Sequence, residues 1–131
     1  MTKEEFKAHI LEKYGVIGDN PFEEYDSTLV FRHTSNRKWF ALLMTISKRK
    51  LGLSSDDKID VVNVKCPQEI IDSMWQENGI FPAYHMNRAH WLSLALDGSV
   101  DNHTIEWLVD LSYDLTKPKM PRKKGASCGD K

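Results

Sequence analysis

The 131-residue chain lacks the marks of a secreted, membrane-spanning or disulfide-bonded protein. Its two cysteines, Cys66 and Cys128, lie far apart and outside any CxxC or Cys/His spacing, so neither a disulfide framework nor a zinc site is indicated. No apolar run approaches the roughly 18 residues of a membrane span. The N-terminal sequence MTKEEFKAHI also has no apolar signal core. We therefore expect a cytoplasmic protein that does not contact membranes.

The chain also lacks the short motifs of common catalytic sites. It has no GxSxG nucleophile elbow, and its glycines are too scattered to form a phosphate-binding loop. Cys66 precedes a predicted helix, where a thiolate would be stabilised, but a cysteine in such a place is more often a small buried residue. We expect no enzymatic activity and no cofactor.

Charge is distributed unevenly behind a net charge of −1. Residues 56–114 carry three basic and eleven acidic side chains, a balance of −8. Residues 27–55 carry no acid and six bases, which are Arg32, Arg37, Lys38, Lys48, Arg49 and Lys50. Such clustering indicates either a surface for a polyanion or an ordinary solvated face. The hydrophobic content of 40% suits one domain, placed at residues 1–116, followed by a basic tail at 117–131 that we expect to be disordered.

Hydrophobic spacing predicts three helices and five strands. Thr2 and Glu5 form a capping-box pattern before an amphipathic helix, and Pro67 suits the first position of a second helix. Ile105, Leu108 and Val109 mark a third helix. The predicted strands span residues 29–33, 37–47, 58–65, 80–85 and 90–96. The order α-βββ-α-ββ-α with short connections predicts an α+β fold, in which helices cover one face of an antiparallel five-stranded sheet.

The segment NGIFPAYHMNRAHW, residues Asn78–Trp91, combines polar and aromatic side chains in a way that ordinary core strands do not. It forms either a hydrogen-bonded turn or a contact surface. His85 and His90 flank a predicted turn and could approach each other, but a metal site would need a third ligand. The candidates for this third ligand are His33, Asp97 and Glu77. Hydrogen bonding of the histidines within the fold is the favoured interpretation, so no metal is expected.

Nucleic-acid binding has more support from the residues. The amide of Asn87 can pair with a base edge, and Arg88 suits a phosphate or a guanine. His85 and His90 would hold their loop in shape. The side chains expected to contact phosphates from projecting β-loops are Arg37, Lys38, Lys48, Arg49 and Lys50.

Five segments, in this order, resemble the MmcQ/YjbR family of small bacterial proteins. They are KWFALLM (38–44), VNVKCPQE (62–69), FPAYHMNRAHW (81–91), LDGSV (96–100) and LVDLSYDL (108–115). The resemblance implies a compact fold like those of secretion chaperones and frataxin-type proteins. Members of the family are commonly labelled DNA-binding, with a double-wing arrangement. The family's frequent lysine at position 88 is an arginine here, which keeps the cation.

Three functional hypotheses follow. The first is binding of double-stranded DNA through basic loops, with modest affinity and low sequence specificity because the acidic residues 56–114 repel the same polyanion. The alternative is an adaptor that binds a protein or peptide on the open face of the sheet. A small-molecule, metal or enzymatic role is the third.

Overall fold

The computed structural model describes residues 1–21, 28–74 and 76–118. It confirms the predicted α+β class and the order of elements. The helices are α1 (Lys3–Tyr14), α2 (Gln68–Met74) and α3 (Asn102–Thr116), and a short 3₁₀ helix spans Lys48–Leu51. The strands are β1 (Leu29–Arg32), β2 (Trp39–Ser47), β3 (Lys58–Lys65), β4 (Ile80–Pro82) and β5 (Trp91–Ala95). The predicted tail lies outside the described residues from position 119 onward.

The five strands form one antiparallel sheet in the order β1-β2-β3-β5-β4. The β2–β3 pair is the longest, running from Ala41 opposite Val64 to Ser47 opposite Lys58. β5 lies between β3 and β4, so the three-residue strand β4 forms an edge. Pro82 lies in this edge strand, where a missing N–H disrupts the sheet least.

Local sequence signals explain most element ends. Thr2 and Glu5 form the predicted capping box on α1, and Asp101 caps α3 through the backbone N–H of Thr104. Four strands are shorter than predicted: β1 stops before His33, β2 starts after Lys38, β4 stops before Ala83, and β5 lacks the predicted end residues 90 and 96. Arg37 has a left-handed φ of 66° and His85 one of 62°, so both residues turn the chain where a strand was expected.

The main core lies between the helices and one face of the sheet. Phe6 and Ile10 of α1 and Ile105, Leu108 and Val109 of α3 are fully buried there. The sheet contributes alternate residues that pair across strands, which are Phe31, Ala41, Leu43, Val62, Val64, Leu92 and Leu94. This alternation is what a sheet covered on one face by helices requires.

The opposite face of the sheet, called here the non-helical face, is less open than expected. Met44, Ile59, Val61 and Ala95 form a second apolar cluster there, and each is at most 6% exposed. Partly buried side chains, including Tyr84 from the β4–β5 loop, pack against this cluster. Within the described ranges, no helix is both long and apolar enough to cross a bilayer.

A bulge in β2 joins the sheet to α3. Phe31 pairs with Ala41 and Arg32 with Trp39, so Phe40 has no partner in β1. The buried hydroxyl of Ser112 donates to the carbonyl of Phe40 at 2.6 Å and accepts from the backbone N–H of Lys65 at 2.9 Å. This hydroxyl therefore satisfies one carbonyl of β2 and one N–H of β3, just beyond the last paired residues of the two strands.

Replacing Ser112 by alanine is expected to lower the free energy of unfolding by about 2–4 kcal/mol, because two buried backbone groups would lose their partner. Urea unfolding followed by circular dichroism measures the change. Ser73→Ala is the matched control, since the Ser73 hydroxyl donates to the Ile70 carbonyl on an exposed helix surface. Equal stabilities of the two variants would contradict this role for Ser112.

Candidate nucleic-acid interface

The seven predicted DNA-contacting side chains fall into two groups at opposite ends of the sheet. Arg37 and Lys38 lie in the β1–β2 loop, and Asn87 and Arg88 lie in the β4–β5 loop at the same end. Residues 48–50 follow the other end of β2. The nine-residue strand β2 separates the groups by about 26 Å. Residues 48–50 are called the distal cations below.

An acidic neighbour partly neutralises the distal cations. The guanidinium of Arg49 binds the carboxylate of Asp56 with two contacts, at 2.7 and 3.3 Å. This hydrogen bond raises the pKa of Arg49. Lys48 lines the same cleft as Asp97. A phosphate approaching this end would therefore compete with carboxylates already in place.

At the other end of the sheet, three cations surround a shallow cleft of about 360 Å³. None of its described lining residues carries a carboxylate. This cleft, called the basic cleft, is lined by Arg37, Lys38, Trp39, Lys65, Trp91 and Thr116. Arg37 and Lys38 are exposed, whereas Lys65 and Trp91 are partly buried. The arrangement offers positive charge beside an aromatic side chain, which suits a phosphate next to a flat group.

Strand register explains how this cleft forms. Lys65 at the end of β3 pairs directly with Trp91 at the start of β5. Directly paired residues of an antiparallel sheet project to the same face, and alternation along β3 from Val61 and Asn63 places that face opposite the helices. Trp39 lies next along the sheet, just before the bulge in β2. The cleft therefore lies at the end of the sheet, between the non-helical face and the last residue of α3.

Hydrogen bonds anchor the loop that carries Arg37 and Lys38 to the last turn of α3. The imidazole Nε2 of His33 lies 3.1 Å from the carbonyl of Tyr113 and 2.9 Å from the hydroxyl of Thr116. The side-chain amide of Asn36 donates to the carbonyl of Thr116 at 3.0 Å. Its oxygen accepts from the backbone N–H of Lys38, also at 3.0 Å. These contacts fix the backbone of the loop before any ligand binds.

In the β4–β5 loop, Asn87 shapes the turn. Its side-chain oxygen accepts from the N–H of Ala89 at 2.8 Å, and its carbonyl accepts from the N–H groups of His90 and Trp91. The carbonyl of His90 in turn accepts from the N–H of Cys66. Arg88 is exposed at the tip. The amide proposed for a base contact is therefore partly engaged in holding the loop.

His85 and His90 differ in their surroundings. The ring of His85 lies 3.9 Å from that of Tyr84, between centroids, and both histidines are exposed. Across the described ranges, no three side chains of His, Cys, Asp or Glu are grouped as metal ligands. Cys66 is 2% exposed, and burial raises its pKa to about 12. Its sulfur is therefore a neutral thiol at physiological pH and packs as a small apolar group.

Sequence reasoning did not identify four members of the basic cleft, which are Trp39, Lys65, Trp91 and Thr116. Lys65 ends β3 and Trp91 begins β5. Their pairing could not be read from the sequence, because it depends on β5 inserting between β3 and β4. Thr116 belongs to the end of α3, 80 residues from Asn36. No local pattern connects such distant positions.

Comparison with known proteins gives the family. The YjbR family model matches residues 11–115. The chain belongs to the YjbR family. The uncharacterized protein YyaQ of Bacillus subtilis is 41% identical over 117 residues, covering 89% of this chain and 99% of the relative. The uncharacterized protein YjbR of Escherichia coli K12 is 34% identical over 64 residues, covering 48% of this chain and 54% of the relative.

Solved structures show the same fold. A crystal structure of a Pseudomonas syringae protein matches with a TM-score of 0.87 and 38% identity, over 89% of this chain and all of that chain. A Deinococcus radiodurans protein matches with a TM-score of 0.66 and 25% identity, over 87% of this chain and 77% of that chain. The family resemblance seen in the sequence motifs is thereby confirmed.

The anchoring role of His33 predicts a dependence of stability on pH. Burial lowers the pKa of the His33 imidazole; the hydrogen bond to Tyr113 opposes this shift, and the charge of Lys117 adds to it. The unfolded chain therefore takes up this proton at higher pH than the folded chain. Neutral His33 therefore contributes to the stability of the fold above about pH 6.5. This contribution is lost as the pH falls through the pKa of His33 in the folded chain.

We expect the melting temperature to fall between pH 7.5 and pH 5, and to fall less in His33→Gln. Thermal melts at the two pH values measure this difference, and an NMR titration of the His33 ring measures its pKa directly. His90→Gln is the control, because His90 is exposed. A His33 pKa at or above the ordinary value would contradict the explanation.

Proposed function

We propose that this protein binds nucleic acid, double-stranded DNA in the first place, through the basic cleft. The observation that carries the proposal is a group of three cations around one cleft with no carboxylate among its described lining residues. Phosphate contacts supply most of the affinity of such surfaces and carry no sequence information. The proposed role is binding, without a catalytic step.

Preorganisation of the loop supports this proposal. A flexible cationic loop loses conformational entropy when it binds, which reduces affinity. Here the backbone around Arg37 is held by the N–H of Arg37 donating to the carbonyl of His33, and by the N–H of His33 donating to the carbonyl of Lys38. Only the side chains of Arg37 and Lys38 would have to order on a phosphate.

Arg88 extends the same surface. It projects from the β4–β5 loop, and the residues that close this loop lead directly into Trp91. Arg37, Lys38, Lys65 and Arg88 therefore define the contacting set proposed here, with Trp91 as an apolar wall. The distal cations are left out, because Arg49 is paired with Asp56 and the group lies about 26 Å away along β2.

Low sequence specificity follows from the same residues. Lysines contact phosphates as point charges, and the oxygen of Asn87 is already bonded within its own loop. The eleven acidic residues of 56–114 also repel a polyanion, which limits affinity. The adaptor hypothesis has less support, because Tyr84 and its loop cover part of the non-helical face.

Replacing both Arg37 and Lys38 by alanine is expected to weaken binding of a fluorescein-labelled DNA duplex. Four phosphate contacts predict a log–log salt slope of about −3.6, and each lost contact reduces its magnitude by about 0.9. The double variant should therefore have a slope of about −1.8. Fluorescence anisotropy of the full chain at several salt concentrations measures the affinity and the slope.

Two controls, the first of them matched in charge, test whether DNA binding depends on positive charge outside the basic cleft. Lys48→Ala combined with Lys50→Ala removes the same net charge from the distal cations and should change the slope little. Arg122, Lys123 and Lys124 replaced together by alanine test the basic tail. Loss of binding in the tail variant with no change in the Arg37/Lys38 variant would contradict the proposal. A single strand of the same sequence, measured in parallel, shows whether the duplex is the preferred form.

A further inference from the structure

A larger pocket, of about 460 Å³, lies on the non-helical face between β2 and the β4–β5 loop. Its apolar walls come from two directions. Leu42, Met44 and Ile46 supply the wall on β2, and Tyr84 and Met86 supply the wall on the loop. A concave, mostly apolar space of this size is typical of small-molecule sites. The basic cleft shares one lining residue with it, Trp39.

Buried hydrogen bonds hold this pocket in shape. Asn63 is fully buried at the floor, where its amide nitrogen donates to the carbonyl of Tyr84 at 2.8 Å. The buried hydroxyl of Ser93 donates to the side-chain oxygen of Asn63 and accepts from the N–H of Tyr84. These three bonds join β3 and β5 to the loop that forms the wall. The pocket is therefore a preformed feature of the fold.

The conformation of the next residue also indicates a constrained wall. His85 has a left-handed φ of 62°, a backbone conformation that is unfavourable for a residue with a Cβ. It lines the pocket with its ring against that of Tyr84. Strained backbone of this kind persists where surrounding contacts over-determine it, and such positions cluster at ligand sites.

Charge at one end of the pocket selects the type of ligand. Lys50 and Lys58 both line it. None of the described lining residues is acidic. Arg49, by contrast, forms a salt bridge with the carboxylate of Asp56. An apolar body in the pocket could therefore place an anionic group beside two ammonium groups.

We propose that this pocket binds a small amphipathic monoanion, an elongated aryl or acyl body that ends in a carboxylate or sulfonate. The body lies against Met44, Ile46 and Met86, and the anionic group lies between Lys50 and Lys58. This site is independent of the basic cleft, because the residues that define its chemistry take no part in the proposed nucleic-acid contacts.

Two probes that share a ring system test the proposal on the full-length protein. 1-Anilinonaphthalene-8-sulfonate carries the anion, and N-phenyl-1-naphthylamine is the same body without it. We expect the sulfonate to bind in a saturable, one-to-one manner and more tightly than the neutral probe, as measured by fluorescence titration. Lys50→Ala combined with Lys58→Ala should weaken sulfonate binding about three- to tenfold and leave the neutral probe unchanged.

A variant that fills the pocket separates this site from nonspecific apolar adsorption. Ile46→Trp should abolish binding of both probes, because Ile46 is only partly buried and the larger ring can enter the pocket space. Lys3→Ala combined with Lys7→Ala on α1 is the charge-matched control and should bind both probes normally. Circular dichroism melts verify that each variant is folded.

Three results would overturn the proposal. They are absence of saturable sulfonate binding, equal affinity for the two probes, and unchanged sulfonate binding in folded Ile46→Trp. Displacement of the sulfonate by decanoate but not by decanol would extend the support to carboxylates. Displacement by both would instead assign an uncharged apolar ligand and contradict the role of the two lysines.

Discussion

This structure depends on the contacts that the C-terminal part of α3 makes with the sheet and with the β1–β2 loop. Ser112 bonds to β2 and β3 at once, where the bulge at Phe40 interrupts the regular sheet. One turn later, the hydroxyl of Thr116 contacts the imidazole of His33, and its carbonyl accepts from the side-chain amide of Asn36. The end of this helix thereby satisfies buried backbone groups and fixes the β1–β2 loop. The position of the basic cleft follows from this contact.

Positive charge alone does not distinguish the two ends of the sheet; the neighbouring carboxylates do. The guanidinium of Arg49 binds the carboxylate of Asp56, and the ammonium of Lys13 on α1 donates to Asp110 at 2.6 Å. Partial burial would raise the pKa of the Asp110 carboxyl, but hydrogen bonds from Lys13 and Tyr14 keep it low. Cations held in this way stabilise the fold or its surface modestly. Arg37, Lys38 and Lys65 instead converge on one cleft. The proposed nucleic-acid interface therefore consists of these residues rather than of the densest basic run in the sequence.

The sequence predicted the helices and strands well, because their signals are local. It predicted contacts between residues far apart in the chain poorly. The capping box at Thr2 and strand β3 over Lys58–Lys65 are encoded by neighbouring residues. The shortened strands near His33 and His85 depend on turns stabilised by distant partners such as Tyr113 and Ser93. Likewise, the separation of the seven candidate cations and amides into two groups depends on strand order, which hydrophobic periodicity does not specify.

The most direct test of the central claim is NMR mapping of a titration with a short DNA duplex, observing backbone amides of the full chain. Arg37, Lys38, Lys65 and Trp91 are expected to show the largest shift changes. Residues 48–50, and Met44 and Ile46 in the apolar pocket, are expected to show only small changes. Changes centred on the distal cations, or confined to the tail, would contradict the assignment of the basic cleft as the nucleic-acid interface.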